Sequence, residues 1–159
     1  MVKTEELAAL VAHEIGDEAV KVGTPESAVA GVVPSVVVCP KDSAGVSRTL
    51  RLASDHHLGV LPTGAGTKLE WGTSPPRIDL LLSLCRLDAV VAHRQGDLTA
   101  TIQAGASLRS VNNLLRSQNQ WLPLDTSHPD LATVGGIVAT NDSGPVSYTH
   151  LTLPTILLV

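Results

Sequence analysis

A glycine-rich stretch at residues 61–72, LPTGAGTKLEWG, holds the residue types best suited to bind a charged ligand. Gly64 and Gly66 flank the small residue Ala65, and glycine reaches positive φ at little cost. A turn of this kind can point successive backbone N–H groups into one concavity that binds an anion. Thr67 adds a hydroxyl group and Lys68 a positive charge. The stretch predicts a phosphate-binding loop, with an ordinary glycine-rich turn as the alternative.

Two better-known phosphate loops are excluded by residue spacing. A P-loop needs a Gly-Lys pair followed by Ser or Thr, and no such pair follows this stretch. The dinucleotide fingerprint G-x-G-x-x-G opens a helix, but Leu69 stands at its third glycine. Residues 71–76, WGTSPP, cannot begin a helix cleanly. We therefore expect any phosphate on a loop and not on a helix N-terminus.

A second stretch at residues 125–144, DTSHPDLATVGGIVATNDSG, has few bulky side chains and many backbone donors. Such a segment would let a flat or phosphorylated ligand lie against the main chain. A tightly packed loop and turn is the alternative. Its small or hydrogen-bonding residues are Thr133, Gly135, Gly136, Asn141, Ser143 and Gly144.

The elements that would position the first stretch form a βαβ unit. An apolar run at 36–39 predicts a buried strand, Asp42 or Ser43 begins a helix that reaches about His57, and Gly59 is expected just after that helix. A strand at 58–61 follows and is expected to stop at Pro62. The loop would then lie at the carboxyl end of a strand, where open α/β sheets bind ligands.

Further elements follow from the same kind of pattern. Thr4 is expected to cap an N-terminal helix that ends before Gly16 and packs on the body as an appendage. Residues 23–31 read as a loop. Three segments after the first stretch predict, in order, a strand at 78–82, a hairpin of strands 90–93 and 98–104, and a helix capped by Ser107 with extended chain at 121–124.

Composition limits the function classes. The chain has 159 residues, enough for one domain, and its core must be aliphatic because it contains 2% aromatic residues and no Phe. The net charge of −4, with no basic cluster, argues against nucleic acid as a partner. Neither a membrane span nor a signal peptide is expected, so a cytoplasmic location is the prediction. No metal site is expected, because His128 has no second ligand at metal spacing.

Together, the two stretches resemble the vanillyl-alcohol-oxidase type of FAD-binding domain, also called the para-cresol-methylhydroxylase type. Within that family, the sequences of these two stretches are most similar to those of the FAD-binding subunits of glycolate oxidases. The matching residues are Pro62 to Thr67, Gln103 to Gly105, Leu122 to Asp125, Ala132 to Gly136, Asn141 and Gly144.

The resemblance implies an α+β fold of two subdomains that hold FAD. Thr63, Gly64, Ala65, Gly66, Thr67 and Lys68 would cradle the pyrophosphate. Asp125, Thr133, Gly135 and Gly136 would line the cofactor, with Asn141, Ser143 and Gly144 close by. Thr67 stands where some relatives carry a His that links FAD, so the resemblance implies non-covalent binding.

The implied activity is FAD-dependent oxidation of a small 2-hydroxy acid such as glycolate, with other oxidase subunits as partners. Two alternatives remain open at this point: the FAD domain of a nucleotide-sugar reductase, and a non-catalytic FAD-carrying subunit of a complex. No catalytic residue can be named, because the family supplies such groups from chain beyond Gly144.

The sequence predicts three segments. Residues 1–30 would form an N-terminal helix and loop, and 31–145 an incomplete FAD-binding domain. Residues 146–159 contain no charged side chain, and VSYTHLTLPT resembles a translated sequencing adapter. We expect a non-native tail on a truncated chain that is inactive alone, with a genuine C-terminal strand as the alternative.

Overall fold

The computed structural model describes residues 4–142 and 144. The structure mixes helices and strands, as the α+β prediction requires, and the chain divides between Leu87 and Asp88 into two compact units. In chain order the elements are α1 (Thr4–Ile15), β1 (Val20–Val22), β2 (Val36–Val38), α2 (Ser43–Asp55), β3 (Val60–Thr63), β4 (Leu80–Ser83), β5 (Val90–Arg94), β6 (Thr99–Ile102), α3 (Leu108–Arg116) and α4 (Val134–Thr140).

The first unit is built on a four-stranded sheet with the order β1-β2-β4-β3. Strands β2, β4 and β3 are parallel, whereas β1 pairs with β2 in the antiparallel sense. The central strand β4 has the residues LLLS, and its three leucines are buried, as expected for a strand covered on both faces. The predicted βαβ unit is present, and β4 lies between its two strands.

The main core lies where α1 and α2 cover one face of this sheet. Alternate residues of β2 and β4 point into it, because successive side chains of a strand face opposite sides. Leu7 and Val11 of α1 are 3% and 0% exposed, so this helix is part of the core and not the expected appendage. The buried members of the cluster are Leu7, Val11, Val36, Val38, Leu52, Ala53, Leu80 and Leu82.

Several elements of this unit differ from the prediction, among them β4, which begins at Leu80 and not at Ile78. Strand β1 was not predicted, because three residues with one lysine carry too little pattern. Strand β3 continues through Pro62 to Thr63, and it can do so because an edge strand leaves one side unpaired. Helix α2 ends at Asp55, and the left-handed residue after its cap is His57, with φ 53°, and not Gly59.

The start of α2 is settled by a side-chain cap. Asp42 is the N-cap residue, and its Oδ1 accepts a hydrogen bond of 2.7 Å from the backbone N–H of Gly45. Such a cap satisfies one of the donors that a helix start leaves unpaired. Of the two predicted cap residues, Asp42 is therefore the one used.

The second unit contains the predicted hairpin and helix. Strands β5 and β6 pair antiparallel, and the connection at Gln95–Asp97 is a 3-10 turn followed by Leu98 with φ 54°. Strand β6 therefore begins at Thr99, because a left-handed residue cannot continue a strand. Ser107 caps α3 as predicted, through a hydrogen bond of 3.1 Å from the N–H of Ser110.

In the described part of the chain, none of the helices has the length and apolar content that crossing a bilayer requires. The same residues contain no group of three or more His, Cys, Asp or Glu side chains that could bind a metal ion.

Candidate functional site

The first glycine-rich loop begins where β3 ends. Thr63 is the last residue of that strand, and its carbonyl accepts a hydrogen bond of 2.9 Å from the N–H of Leu84, just past the end of β4. The chain then bends at Gly64 and Ala65, with no helix after them. The loop is thus anchored at the carboxyl edge of a parallel sheet, the edge at which such sheets bind ligands.

Several backbone donors of this loop are uncommitted. Among the described residues, the N–H groups of Ala65, Gly66 and Thr67 donate no hydrogen bond. The N–H of Leu69 does, to the carbonyl of Gly66 at 3.4 Å, and so closes the following turn. Three consecutive free N–H groups, with a left-handed residue in the middle, are the pattern of an anion-binding nest.

Gly66 is the residue on which this shape depends. Its φ is +74°, where a residue with a Cβ is strained. A Cβ at this position would also stand 3.3 Å from Cδ1 of Leu69. Leu69 packs against Val29 and Leu81 in the cluster on the second face of the sheet, so it cannot move away freely.

Lys68 supplies the only basic side chain within residues 61–72. Its Nζ lies 5.0 Å from the centre of the Trp71 ring, which is a cation–π distance. Partial desolvation lowers the pKa of Lys68. The ammonium group is therefore held at the end of the loop, near the free N–H groups in sequence.

The second stretch contains a helix that sequence analysis missed. Helix α4 spans Val134–Thr140, and Thr133 caps it by accepting a hydrogen bond of 3.2 Å from the N–H of Gly136. The N–H groups of Val134 and Gly135 donate to the carbonyls of Ala106 and Ala104 at 2.9 and 2.8 Å. The donors at the start of α4 are thus already bonded within the protein.

Gly135 is needed here for packing. A Cβ on Gly135 would lie 2.7 Å from Cβ of Ala104 and 2.8 Å from its carbonyl oxygen. Only glycine lets the start of α4 approach this segment so closely. The predicted cofactor role of Gly135 stays a prediction, and contact would have to use its Cα surface instead of its N–H.

The two ends of the second stretch lie side by side. The N–H of Gly144 donates to the carbonyl of Asp125 at 2.9 Å, and a Cβ on Gly144 would overlap the Asp125 carboxylate. Next to them, the hydroxyl of Thr126 donates to the Asp142 carboxylate. Sequence reasoning missed Thr126 and Asp142. Thr126 is buried, but no pattern in the sequence marks it as such.

The other predicted residues of this stretch are placed less centrally. Asn141 is the left-handed C-cap of α4 with φ 50°, a conformation that asparagine tolerates. Ser143 lies outside the described residues. Asp125, Thr133, Gly135, Gly136, Asn141 and Gly144 therefore all belong to the second unit, whereas Thr63 to Lys68 belong to the first.

Three comparisons with known proteins agree on a family. The profile of the family described as FAD binding domain matches residues 34–157. The glycolate oxidase subunit GlcD of Bacillus subtilis is 30% identical over 112 residues, which are 70% of this chain and 24% of that protein. A probable mitochondrial D-lactate dehydrogenase of Danio rerio is 32% identical over 137 residues, which are 81% of this chain and 27% of that protein.

A comparison with solved structures shows that the fold is also similar to that of a flavoprotein of the para-cresol-methylhydroxylase type. The crystal structure of p-cresol methylhydroxylase with substrate bound matches with a TM-score of 0.62 at 18% identity, over 92% of this chain and 29% of that chain. The chain belongs to the FAD binding domain family, and the predicted resemblance to the para-cresol-methylhydroxylase type is confirmed.

This chain spans about a quarter of the length of the relatives it matches. The family match runs to residue 157 and so includes most of the segment expected to be foreign. That segment lies outside the described residues, and its origin stays a prediction.

Proposed function

We propose that the chain is the FAD-binding part of a flavoprotein oxidoreductase that oxidises a small 2-hydroxy acid, such as glycolate or D-lactate. The observation that carries this proposal is the similarity to two relatives named for these substrates, over 70% and 81% of the chain. Oxidising the hydroxyl-bearing carbon removes two electrons and two protons and gives a 2-oxo acid. FAD, when bound, supplies the two-electron chemistry that no side chain can supply.

The first glycine-rich loop is our candidate for the pyrophosphate site. Three features support it: the free N–H groups of Ala65, Gly66 and Thr67, the left-handed Gly66, and the ammonium group of Lys68. Thr63 and Gly64 connect these donors to the end of β3. Hydrogen bonds from backbone N–H groups to a charged acceptor are stronger than those between neutral groups.

The second stretch is our candidate for the surface that lines the rest of the cofactor. Asp125, Thr133, Gly135 and Gly136 would provide it, with Asn141, Ser143 and Gly144 nearby. Because Gly135 and Gly136 already donate their N–H groups inside the protein, this contact would rest on shape and close approach. We further propose that FAD is held non-covalently, since Thr67 has no imidazole that could form the link.

Assembly with other subunits is part of the proposal. It is supported by the relative from Bacillus subtilis, which is named as a subunit of glycolate oxidase.

The test uses purified protein from the complete reading frame, loaded with FAD under anaerobic conditions. Glycolate, D-lactate and L-lactate are added separately, and bleaching of the oxidised flavin is followed against a sample without acid. We expect bleaching by at least one of the first two acids. Flavin that none of these acids bleaches, but that dithionite does, would refute the proposed substrate class while leaving FAD binding intact.

A further inference from the structure

The two cysteines of the chain lie at the same end of the four-stranded sheet, where its parallel strands have their carboxyl ends. Cys39 directly follows β2, and Cys85 follows β4 by two residues. The parallel register pairs Val38 with Leu82, so Cys39 comes next to Ser83 on the neighbouring strand. Neighbouring strands are about 4.8 Å apart. Residues that are 46 positions apart in sequence are thereby brought together.

A tight turn brings Cys85 back towards Cys39. The N–H of Leu87 donates to the carbonyl of Leu84 at 2.9 Å, which closes a turn around Cys85. Within that turn, Nη1 of Arg86 donates to the carbonyl of Cys39 at 3.3 Å. The thiol of Cys85 and the hydroxyl of Ser83 both lie near enough to the Cys39 thiol to affect its pKa. The strand register and this turn therefore bring the two cysteines, which are far apart in sequence, close together.

The two thiols differ in their environment. Cys85 is exposed, whereas Cys39 is partly buried. Burial and the neighbouring Cys85 raise the pKa of Cys39. A small oxidant therefore reaches the exposed Cys85 first. The raised pKa favours the protonated thiol at Cys39.

We propose that Cys39 and Cys85 form a reversible intramolecular disulfide when the protein meets hydrogen peroxide. The two cysteines are not among the residues proposed to bind FAD, but they adjoin the cofactor loop, because Leu84, next to Cys85, donates its N–H to the carbonyl of Thr63. The carboxyl ends of β2 and β4 are adjacent, and the turn at Leu84–Leu87 holds Cys85 near the end of β2. This arrangement favours the short Cα separation that a disulfide needs.

The reaction balances without further reagents. Cys85 reacts as the thiolate after its thiol releases a proton: its sulfur attacks one peroxide oxygen, the O–O bond breaks, and Cys85 becomes a sulfenic acid, while the departing hydroxide takes up the released proton to form one water. The Cys39 sulfur then attacks the Cys85 sulfur, the S–O bond breaks, and the departing hydroxide takes the Cys39 proton to form a second water. Two thiols lose two electrons in total, and one peroxide molecule gains them.

The test treats the purified chain, first fully reduced, with a small excess of hydrogen peroxide. Because the chain has only two cysteines, we expect free thiols to fall from two to none while the protein stays monomeric. Peptide mapping should find Cys39 linked to Cys85, and dithiothreitol should restore both thiols. The reaction should be at least about tenfold faster in folded protein than in concentrated guanidinium chloride, because folding holds the two sulfurs together.

Two variants separate the roles of the cysteines. In Cys39→Ser, the sulfenic acid of Cys85 should persist and be captured by dimedone, whereas Cys85→Ser should give a much slower reaction and little adduct. Covalent dimers, separate over-oxidation of both cysteines, or equal rates in folded and denatured chain would each overturn the proposal.

Discussion

Replacing Gly66 tests whether the first loop binds the pyrophosphate. Gly66→Ala adds a Cβ at φ +74° and places it 3.3 Å from Cδ1 of Leu69. The loop must change its backbone angles to relieve this strain, and the free N–H groups of Ala65, Gly66 and Thr67 would then no longer converge. We expect FAD affinity to fall while the fold persists.

The expected magnitude follows from the donors involved. Losing one hydrogen bond to a charged group costs about 1.5–3 kcal/mol. Since each 1.4 kcal/mol changes affinity tenfold, the dissociation constant for FAD should rise about 10- to 150-fold. An alanine at a left-handed position also costs about 1–2 kcal/mol of folding stability, which corresponds to a melting temperature lower by about 2–8 °C.

Gly31 offers a matched control. Its φ is +81°, and a Cβ there would meet nothing within 4 Å. Gly31→Ala should therefore lose similar stability, but it alters a different turn, between Val29 and Val32. FAD is titrated against both variants by flavin fluorescence, well below their melting temperatures measured by circular dichroism. Equal affinities for the two variants, or a change of less than about twofold for Gly66→Ala, would refute a pyrophosphate nest in this loop.

Three further outcomes are expected. Acid precipitation should release the flavin into the supernatant, because Thr67 cannot form a covalent link, and yellow colour that stays with the protein through a denaturing gel would contradict this. Gly135→Ala should destabilise the second unit by about 1–3 kcal/mol through overlap with Ala104, and thermal melts of the double variant with Ala104→Gly should show partial recovery. Thr133→Ala should cost about 1 kcal/mol by removing the cap on Gly136, whereas Thr133→Ser should not, as denaturant unfolding would reveal.

Sequence patterns predicted the elements that have a strong local signal. The apolar runs that became β2 and β4 and the helix starts at Asp42 and Ser107 belong to this group. The position of the first loop at a strand end was also predictable, because Gly64 and Gly66 directly follow an apolar run that ends at Pro62.

The missed features depend on contacts between distant residues. Helix α4 contains VGG at its start, which has low helix propensity, and it is stabilised by the carbonyls of Ala104 and Ala106. Pro62 fits inside β3 because of the strand order, which no local pattern reveals. The proximity of Cys39 and Cys85 depends on the register of two strands in the same way.

Asp79 links the two strands that lead to the loop, at their other end. Its Oδ2 accepts a hydrogen bond of 2.7 Å from the N–H of Gly59, the residue before β3, and Oδ1 lies 3.0 Å from Nε of Arg77. Asp79 is 7% exposed, so its removal would leave the Gly59 N–H without its acceptor in a partly buried place. We expect Asp79→Ala to lower the free energy of unfolding by about 1.5–3 kcal/mol.

Asp79→Asn separates the two interactions, because it keeps an oxygen for Gly59 and loses the charge that pairs with Arg77. The Arg77 side chain is 58% exposed, so that ion pair should contribute about 0–1 kcal/mol. The asparagine variant should therefore retain most of the stability that the alanine variant loses in urea unfolding. Equal losses would assign the stabilisation to the ion pair. Both variants should keep the FAD affinity of the unaltered protein. Asp79 lies before the start of β4, whereas the loop follows the end of β3, so the two are at opposite ends of these parallel strands. A loss of FAD from either variant that matches the loss in Gly66→Ala would mean that flavin retention reports general stability of the first unit and not a local phosphate site.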